Sequence, residues 1–299
     1  MENSTFFAGI DIGSNAIRLL IATPFRNETA IEVKKSLLIR IPVRLGEDVF
    51  TEGKIGEKKI GQLIEALTGF KHIMLAYNVV NFRAFATSAM REAANNRRVV
   101  RKIHEESGIE VEIIEGEREA DLICSAGATV TANVRGEINY MYVDVGGGST
   151  EITIFHDNRK VASRSFQLGA VRILSQGENQ QLLNELVNWI SEIVKLYKPD
   201  AIVGTGGNIN KIHKIINKKK DAPIFRTEIH ALYEKLKQMS LTDRIEKMQL
   251  NPSRADVIVP AMQLFLHIMQ VANIQAVFVP KVGLADGIVQ QLFLEKSTY

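Results

Sequence analysis

The sequence predicts an α/β protein of two related halves, each a mixed β-sheet flanked by helices. The first observation behind this is a phrase that recurs. Ile10-Asp11-Ile12-Gly13-Ser14-Asn15 stands near the start, and Val143-Asp144-Val145-Gly146-Gly147-Gly148-Ser149-Thr150-Glu151 stands near the middle. Each is an apolar strand carrying one aspartate, then a glycine turn, then a second apolar strand. The second observation is that both phrases lead into the same succession: one more strand-like run, then helices alternating with strands. The recurrence reads as an old duplication of one domain.

In the first half, residues 7–12, 16–23 and 30–41 read as strands, and Arg44-Leu45-Gly46-Glu47 closes a hairpin or meander. A helix is expected over 56–76, where Ile60, Leu63, Ile64 and Leu67 recur at spacings of three and four. A short strand at 81–86 leads through Thr87-Ser88-Ala89 into a helix over 90–107. A strand at 110–114 precedes a helix over 117–129, and the polar run 133–137 marks the expected boundary.

The second half repeats the scheme, with strands at 140–145, 150–155 and 159–168 before a helix over 179–197. A strand at 201–204 ends in Thr205-Gly206-Gly207-Asn208, where a helix starts. Helices over 228–238 and 253–271, a strand at 276–279 and a last helix over 284–294 complete the chain, with 243–252 read as a polar loop.

A net charge of +3 is too small to argue for nucleic acid. The basic clusters, Arg97, Arg98, Arg101 and Lys102, then Lys218, Lys219 and Lys220, are either solvated surface or a track for a long polyanion. Cys124 lies among Leu122, Ile123 and Ala126, which suits a buried, inert thiol, and one cysteine excludes an internal disulfide. The N-terminus lacks the basic start and apolar run of a signal peptide, and no apolar stretch approaches the roughly 20 residues of a membrane helix. A cytoplasmic protein, bound to neither membrane nor nucleic acid, is the expectation. The six histidines show no metal-ligand spacing, and Gly204-Thr205-Gly206-Gly207 is not followed by the Gly-Lys-Ser/Thr of a Walker loop.

The turns carry the chemistry. Backbone N–H groups of Gly13, Ser14 and Asn15, and of Gly146, Gly147, Gly148 and Ser149, can close on an anion. Either turn alone could be a plain tight hairpin. Together, each preceded by an aspartate, they predict a cleft with a phosphate-gripping loop on each wall. Gly206 and Gly207 would add a third backbone contact to phosphate or nucleotide. Asp11, Asp144 and Glu151 are the acidic residues beside the turns, hard oxygen ligands of the kind that suit Mg2+. Arg91, Arg18 and Arg254 are each either a phosphate contact or a surface ion pair.

These segments resemble the Ppx/GppA family of exopolyphosphatases and guanosine pentaphosphate phosphohydrolases, within the actin, hexokinase and heat-shock-chaperone ATPase superfamily. The resemblance runs through both glycine turns, Val43-Arg44-Leu45-Gly46-Glu47, Ala86-Thr87-Ser88-Ala89-Met90-Arg91-Glu92-Ala93 and Ile113-Ile114-Glu115-Gly116-Glu117-Arg118-Glu119-Ala120. It continues through Gln167-Leu168-Gly169-Ala170-Val171-Arg172, Gly204-Thr205-Gly206-Gly207 and Arg254-Ala255-Asp256-Val257-Ile258-Val259-Pro260. The chain looks like the short two-domain form. The family's Gly-Leu-Arg-Glu-Gly stands here as Gly283-Leu284-Ala285-Asp286-Gly287, without its arginine.

The resemblance implies two ribonuclease H-like (actin-like ATPase) domains with the active site in the cleft between them. They would span 1–130, completed by the C-terminal helix 284–299, and 131–283. It implies hydrolysis of the terminal phosphoanhydride of polyphosphate or of guanosine pentaphosphate, with Mg2+ as cofactor, a monovalent cation such as K+ as a further candidate, and a homodimer as the candidate assembly. It places the catalytic base at Glu119, the glutamate directly before the alanine of Gly-x-x-Glu-Ala, with Arg91 assisting; Glu117 is the internal competitor. A sugar or small-molecule kinase of the same superfamily and a non-catalytic phosphate sensor or filament are the competing readings.

Overall fold

The computed structural model describes residues 5–26, 31–132, 139–157, 159–216, 219 and 222–296. The expected boundary at 133–137, and Lys218 and Lys220, lie outside these residues. The chain divides into two compact units, Met1–Asn133 with Val282–Tyr299, and Val134–Lys281.

The first unit opens with β1 (Phe7–Ile12), β2 (Ile17–Arg26) and β3 (Ile31–Ile41), followed by α1 (Leu45–Glu52) and α2 (Glu57–Ala76). Then come β4 (Asn81–Ala86), α3 (Ser88–Glu92), α4 (Asn96–Ser107), β5 (Val111–Ile113) and α5 (Gly116–Ala132). Its sheet runs β3-β2-β1-β4-β5, with β1–β2–β3 antiparallel and β1, β4 and β5 parallel. Every residue of β1 is buried, as a central strand covered on both faces must be.

The second unit contains β6 (Tyr140–Val145), β7 (Thr150–His156), β8 (Arg159–Phe166), α6 (Ala170–Gln176), α7 (Gln180–Tyr197), β9 (Ala201–Thr205) and α8 (Gly207–Ile215). It continues with β10 (Ile224–Phe225), α9 (Arg226–Gln238), α10 (Leu241–Glu246), α11 (Pro252–Ala255), α12 (Ile258–Val271) and β11 (Ala276–Phe278). Its sheet order is β10-β11-β9-β6-β7-β8, with β6–β7–β8 antiparallel and β6, β9 and β11 parallel. Apart from the short β10, this is the strand order of the first unit. The recurring phrase is therefore the first hairpin of each of two mixed sheets.

The chain then returns to the first unit as α13 (Leu284–Lys296). Leu284, Ala285, Ile288, Val289 and Leu292 join Phe7, Leu20, Phe85, Ile114 and Leu122 in one apolar cluster. Asp286 is a charged residue buried on the same helix. Its carboxylate pairs with Lys35 at 2.7 Å and accepts from the Gly283 amide at 3.1 Å. Burial pushes the Asp286 carboxyl up from its ordinary 3.8, against the opposing pull of Lys35 and the amide. A raised folded-state pKa stabilises the fold below the unfolded value and loses that contribution as pH rises through the folded value. Asp286→Asn is therefore expected to flatten the decline in Tm above pH 3.8, measured by thermal melts across pH.

Five local expectations are corrected. Residues 44–47 do not close a hairpin but enter α1, whose Leu45, Val49 and Phe50 are buried and whose Glu47 and Asp48 favour a helix N-terminus. The helix expected over 90–107 is two, α3 and α4. The break falls where Asn95 turns aside to exchange two hydrogen bonds with the Ile55 backbone, at 3.0 and 2.8 Å. The loop expected over 243–252 begins inside α10, whose N-cap Ser240 accepts from the Asp243 amide at 3.1 Å. The helix expected over 253–271 is interrupted between α11 and α12. Finally, α6 stands between the strand expected at 159–168 and the helix expected over 179–197, where no element was expected.

Cys124 is a buried thiol. Among the described residues no helix is long and apolar enough to cross a membrane. In the basic cluster of α4, Arg98 and Lys102 face Glu57 at 2.7 and 3.8 Å, and Arg101 faces Glu105 at 3.8 Å, the pattern of a solvated, paired surface.

Candidate active site

In the second unit, α6 grips the glycine turn from behind. The amide of Ala170 donates to the Gly146 carbonyl at 3.0 Å, and those of Val171 and Arg172 donate to the Gly147 carbonyl at 2.8 and 3.0 Å. The Arg172 Nε donates to the Gly148 carbonyl at 2.8 Å. Among the described residues there is no cis peptide bond. In a planar trans peptide the N–H points opposite to the carbonyl before it. With three successive carbonyls held on α6, the N–H groups of Gly147, Gly148 and Ser149 point the other way. Among the described residues none of those three amides donates to a backbone carbonyl. Gly146 is different, because its amide closes the turn on the Ser149 carbonyl at 2.9 Å. The close fit demands Gly169, where an added Cβ would stand 2.5 Å from the Gly147 and Gly148 backbone.

The first unit repeats the device. Arg44 and Gly46, at the start of α1, donate their amides to the carbonyls of Asn15 and Ser14 at 3.1 and 2.8 Å. The N–H groups of Asn15 and Ala16 thus point away from α1. Gly13 closes its own turn on Ala16 at 3.2 Å, and the Ser14 hydroxyl accepts from the Ala89 amide at 3.2 Å.

The aspartates differ in what faces them. Asp11 lies opposite Arg18 across β1 and β2, and Arg18 Nη1 meets its carboxylate at 2.5 Å. Asp144 lies opposite Glu151 across β6 and β7. Glu151 stands at the same seven-residue distance from its aspartate as Arg18 does. One carboxylate oxygen of each lies within 4.8 Å of the other. Glu151 is only 3% exposed and accepts from the Ser165 hydroxyl at 2.8 Å. The first aspartate is neutralised by a cation from the chain itself. The second faces a like charge, and two carboxylates this close, Glu151 buried and Asp144 half-buried, favour a bound cation or a shared proton.

Gly206 packs against Asp144. Its φ of 98° belongs to glycine, and a Cβ there would stand 2.5 Å from Asp144 Oδ1. Gly206→Ala is expected to cost about 1–3 kcal/mol of stability and to displace Asp144. Denaturant melts, together with metal affinity, check this. Gly206 and Gly207 begin α8, which carries Lys211 and Lys214. Burial lowers the pKa of Lys211, and the charges of Lys214 and Arg254 lower it further. Arg254, on α11, therefore belongs to a basic group beside α8. Lys211 and Lys214 were not singled out in the sequence, although they sit one and two helical turns into the helix that the glycines open.

In the first unit, Glu119 lies in the first turn of α5, half-buried, while Glu117 is exposed. Arg91 on α3 donates from Nη1 to the Ile114 carbonyl at 2.6 Å, and its Nε lies 3.8 Å from the Glu115 carboxylate. It braces the segment from which α5 starts. Arg91 and Arg18 are thus each engaged with their own unit.

The chain matches the model of the Ppx/GppA phosphatase family over residues 37–296. It is 32% identical over 194 residues to the bifunctional 3-dehydroquinate synthase/phosphatase of Fusobacterium nucleatum, 64% of this chain but 29% of that protein. It is 24% identical over 302 residues to exopolyphosphatase 1 of Mycobacterium tuberculosis, 94% of this chain and 86% of that one. The crystal structure of an exopolyphosphatase from Cytophaga hutchinsonii has the same fold, with a TM-score of 0.84 at 22% identity over 97% of this chain and 98% of that chain.

Proposed function

The chain belongs to the Ppx/GppA phosphatase family, and from that premise we propose that it is an exopolyphosphatase. It hydrolyses the terminal phosphoanhydride of inorganic polyphosphate and, as a second substrate, removes the 5'-γ-phosphate of guanosine pentaphosphate. The observation that carries this reading is the second-unit turn, with three amides directed away from α6 beside the facing carboxylates Asp144 and Glu151.

Phosphoryl transfer asks a protein chiefly for positioning and charge stabilisation. The amides of Gly147, Gly148 and Ser149 bind the oxygens of the phosphate under attack, and those of Asn15 and Ala16 bind a neighbouring phosphate. Arg254, with Lys211 and Lys214, offsets the charge of the substrate. Asp144 and Glu151 fit a divalent cation: both are hard oxygen donors and they face each other, whereas Asp11 faces Arg18. Mg2+ held there would neutralise charge on the transferring phosphate. Asp11, already met by Arg18, is not part of that ligand pair.

Glu119 accepts a proton from the attacking water. The water oxygen bonds to the terminal phosphorus as the bridging P–O bond breaks, leaving orthophosphate and a chain one phosphate shorter. Arg91 acts as a positioning residue, through its hold on Ile114, for the helix that carries Glu119.

The experiment is phosphate release from long-chain polyphosphate, guanosine pentaphosphate and ATP with Mg2+, the ATP arm run with and without a sugar as alcohol acceptor. Orthophosphate from polyphosphate supports the reading. ADP formed together with a phosphorylated alcohol would instead identify a kinase, and ligand binding without any turnover would identify a sensor.

A further inference from the structure

We propose that Arg172 is a positioning residue for phosphate capture, holding and polarising the second glycine turn from behind. This rests on the reading that the turn binds phosphate. Arg172 is only 8% exposed, and its main-chain amide and side-chain Nε reach two successive carbonyls of the turn, those of Gly147 and Gly148. Guanidinium keeps its charge when buried. Burying it carries a desolvation cost that an apolar side chain of similar volume would avoid. Packing alone therefore does not account for an arginine at this position.

The charge acts on the peptides of the turn. A charged donor on the Gly148 carbonyl fixes the orientation of the peptide that ends in the Ser149 N–H. It also polarises that peptide, which makes the N–H on the far side a stronger donor. The turn of the first unit is supported differently. There the turn carbonyls of Ser14 and Asn15 are met by backbone amides, and the guanidinium of Arg44 turns to Glu47 at 2.5 Å. The buried arginine thus belongs to the turn that lies beside the facing carboxylates Asp144 and Glu151.

The test compares wild type, Arg172→Met, Arg172→Lys and a core control, Ile190→Ala, whose side chain is fully buried on α7. Affinity for non-hydrolysable imidodiphosphate is measured by calorimetry with Mg2+, and kcat and KM are measured on polyphosphate. Arg172→Met is expected to lose about 10-fold or more in affinity and about 10–100-fold in kcat/KM, the scale of an outer-shell support. Arg172→Lys, which keeps the charge without the planar fork, is expected to fall between Met and wild type. Ile190→Ala is expected to lower Tm with imidodiphosphate affinity unchanged.

Wild-type affinity in Arg172→Met overturns the proposal, as does an equal affinity loss in Ile190→Ala. If Arg172→Met does not fold, Arg172→Lys decides: weakened binding supports the role and wild-type binding overturns it. A wild type that binds no imidodiphosphate overturns the phosphate-binding reading itself, whereas an unaffected Arg172→Met overturns only the role of Arg172.

Discussion

Glu119→Gln is expected to lower the rate of phosphate release from polyphosphate by about 100-fold or more, the usual scale for a general base. The effect should fall on kcat, with KM and Tm close to wild type. Gln keeps the size and hydrogen-bonding reach of Glu but cannot accept the proton of the attacking water. Glu119 is half-buried in the first turn of α5, so an uncharged isostere leaves the helix intact. Glu117, two residues away and exposed, supplies the internal contrast: Glu117→Gln is expected to leave kcat within a few-fold. Steady-state kinetics on both variants separates the two glutamates. Full activity in Glu119→Gln would rule this residue out as the base.

The second large effect is expected at Glu151. Glu151→Gln should raise the Mg2+ concentration for half-maximal activity by about 10-fold or more, a loss at least as large as removal of an outer-shell partner. The matched hairpins give the reason. At the position where the first unit puts Arg18 against Asp11, the second unit puts Glu151 against Asp144. Replacing Glu151 removes half of the like-charged pair that favours a cation. Asp11→Asn removes a carboxylate that Arg18 already satisfies, so its Mg2+ half-saturation should match wild type even where its activity falls. Mg2+ titrations of the two variants distinguish them, and equal shifts would contradict the assignment of the metal to the second unit.

Much of this arrangement was legible in the sequence, for physical reasons. A duplicated hairpin leaves its aspartate and glycines at matching places, and Asp11 and Asp144 announce the two sheets without any coordinates. The long helix α2 shows its apolar face at regular spacings. The supports of the turns were not legible. α1 and α6 span eight and seven residues, shorter than the window over which a helical period can be recognised. Their part in the site rests mostly on main-chain amides, which carry no residue code; the side chain of Arg172, which holds the Gly148 carbonyl, is the exception. One signal did exist: Leu45-Gly46 and Leu168-Gly169 recur just after the third strand of each half. The neutralisation of Asp11 depends on strand register, which sets Arg18 beside it. The choice between Glu117 and Glu119 depends on which way a helix turns its faces.

Metal-assisted cutting of a phosphate chain is tested most directly by following orthophosphate release from long-chain polyphosphate while Mg2+ is removed and returned. Steady release that stops with a chelator and resumes with added Mg2+ is the predicted result. No release at any Mg2+ concentration, or an undiminished rate in its absence, would contradict it.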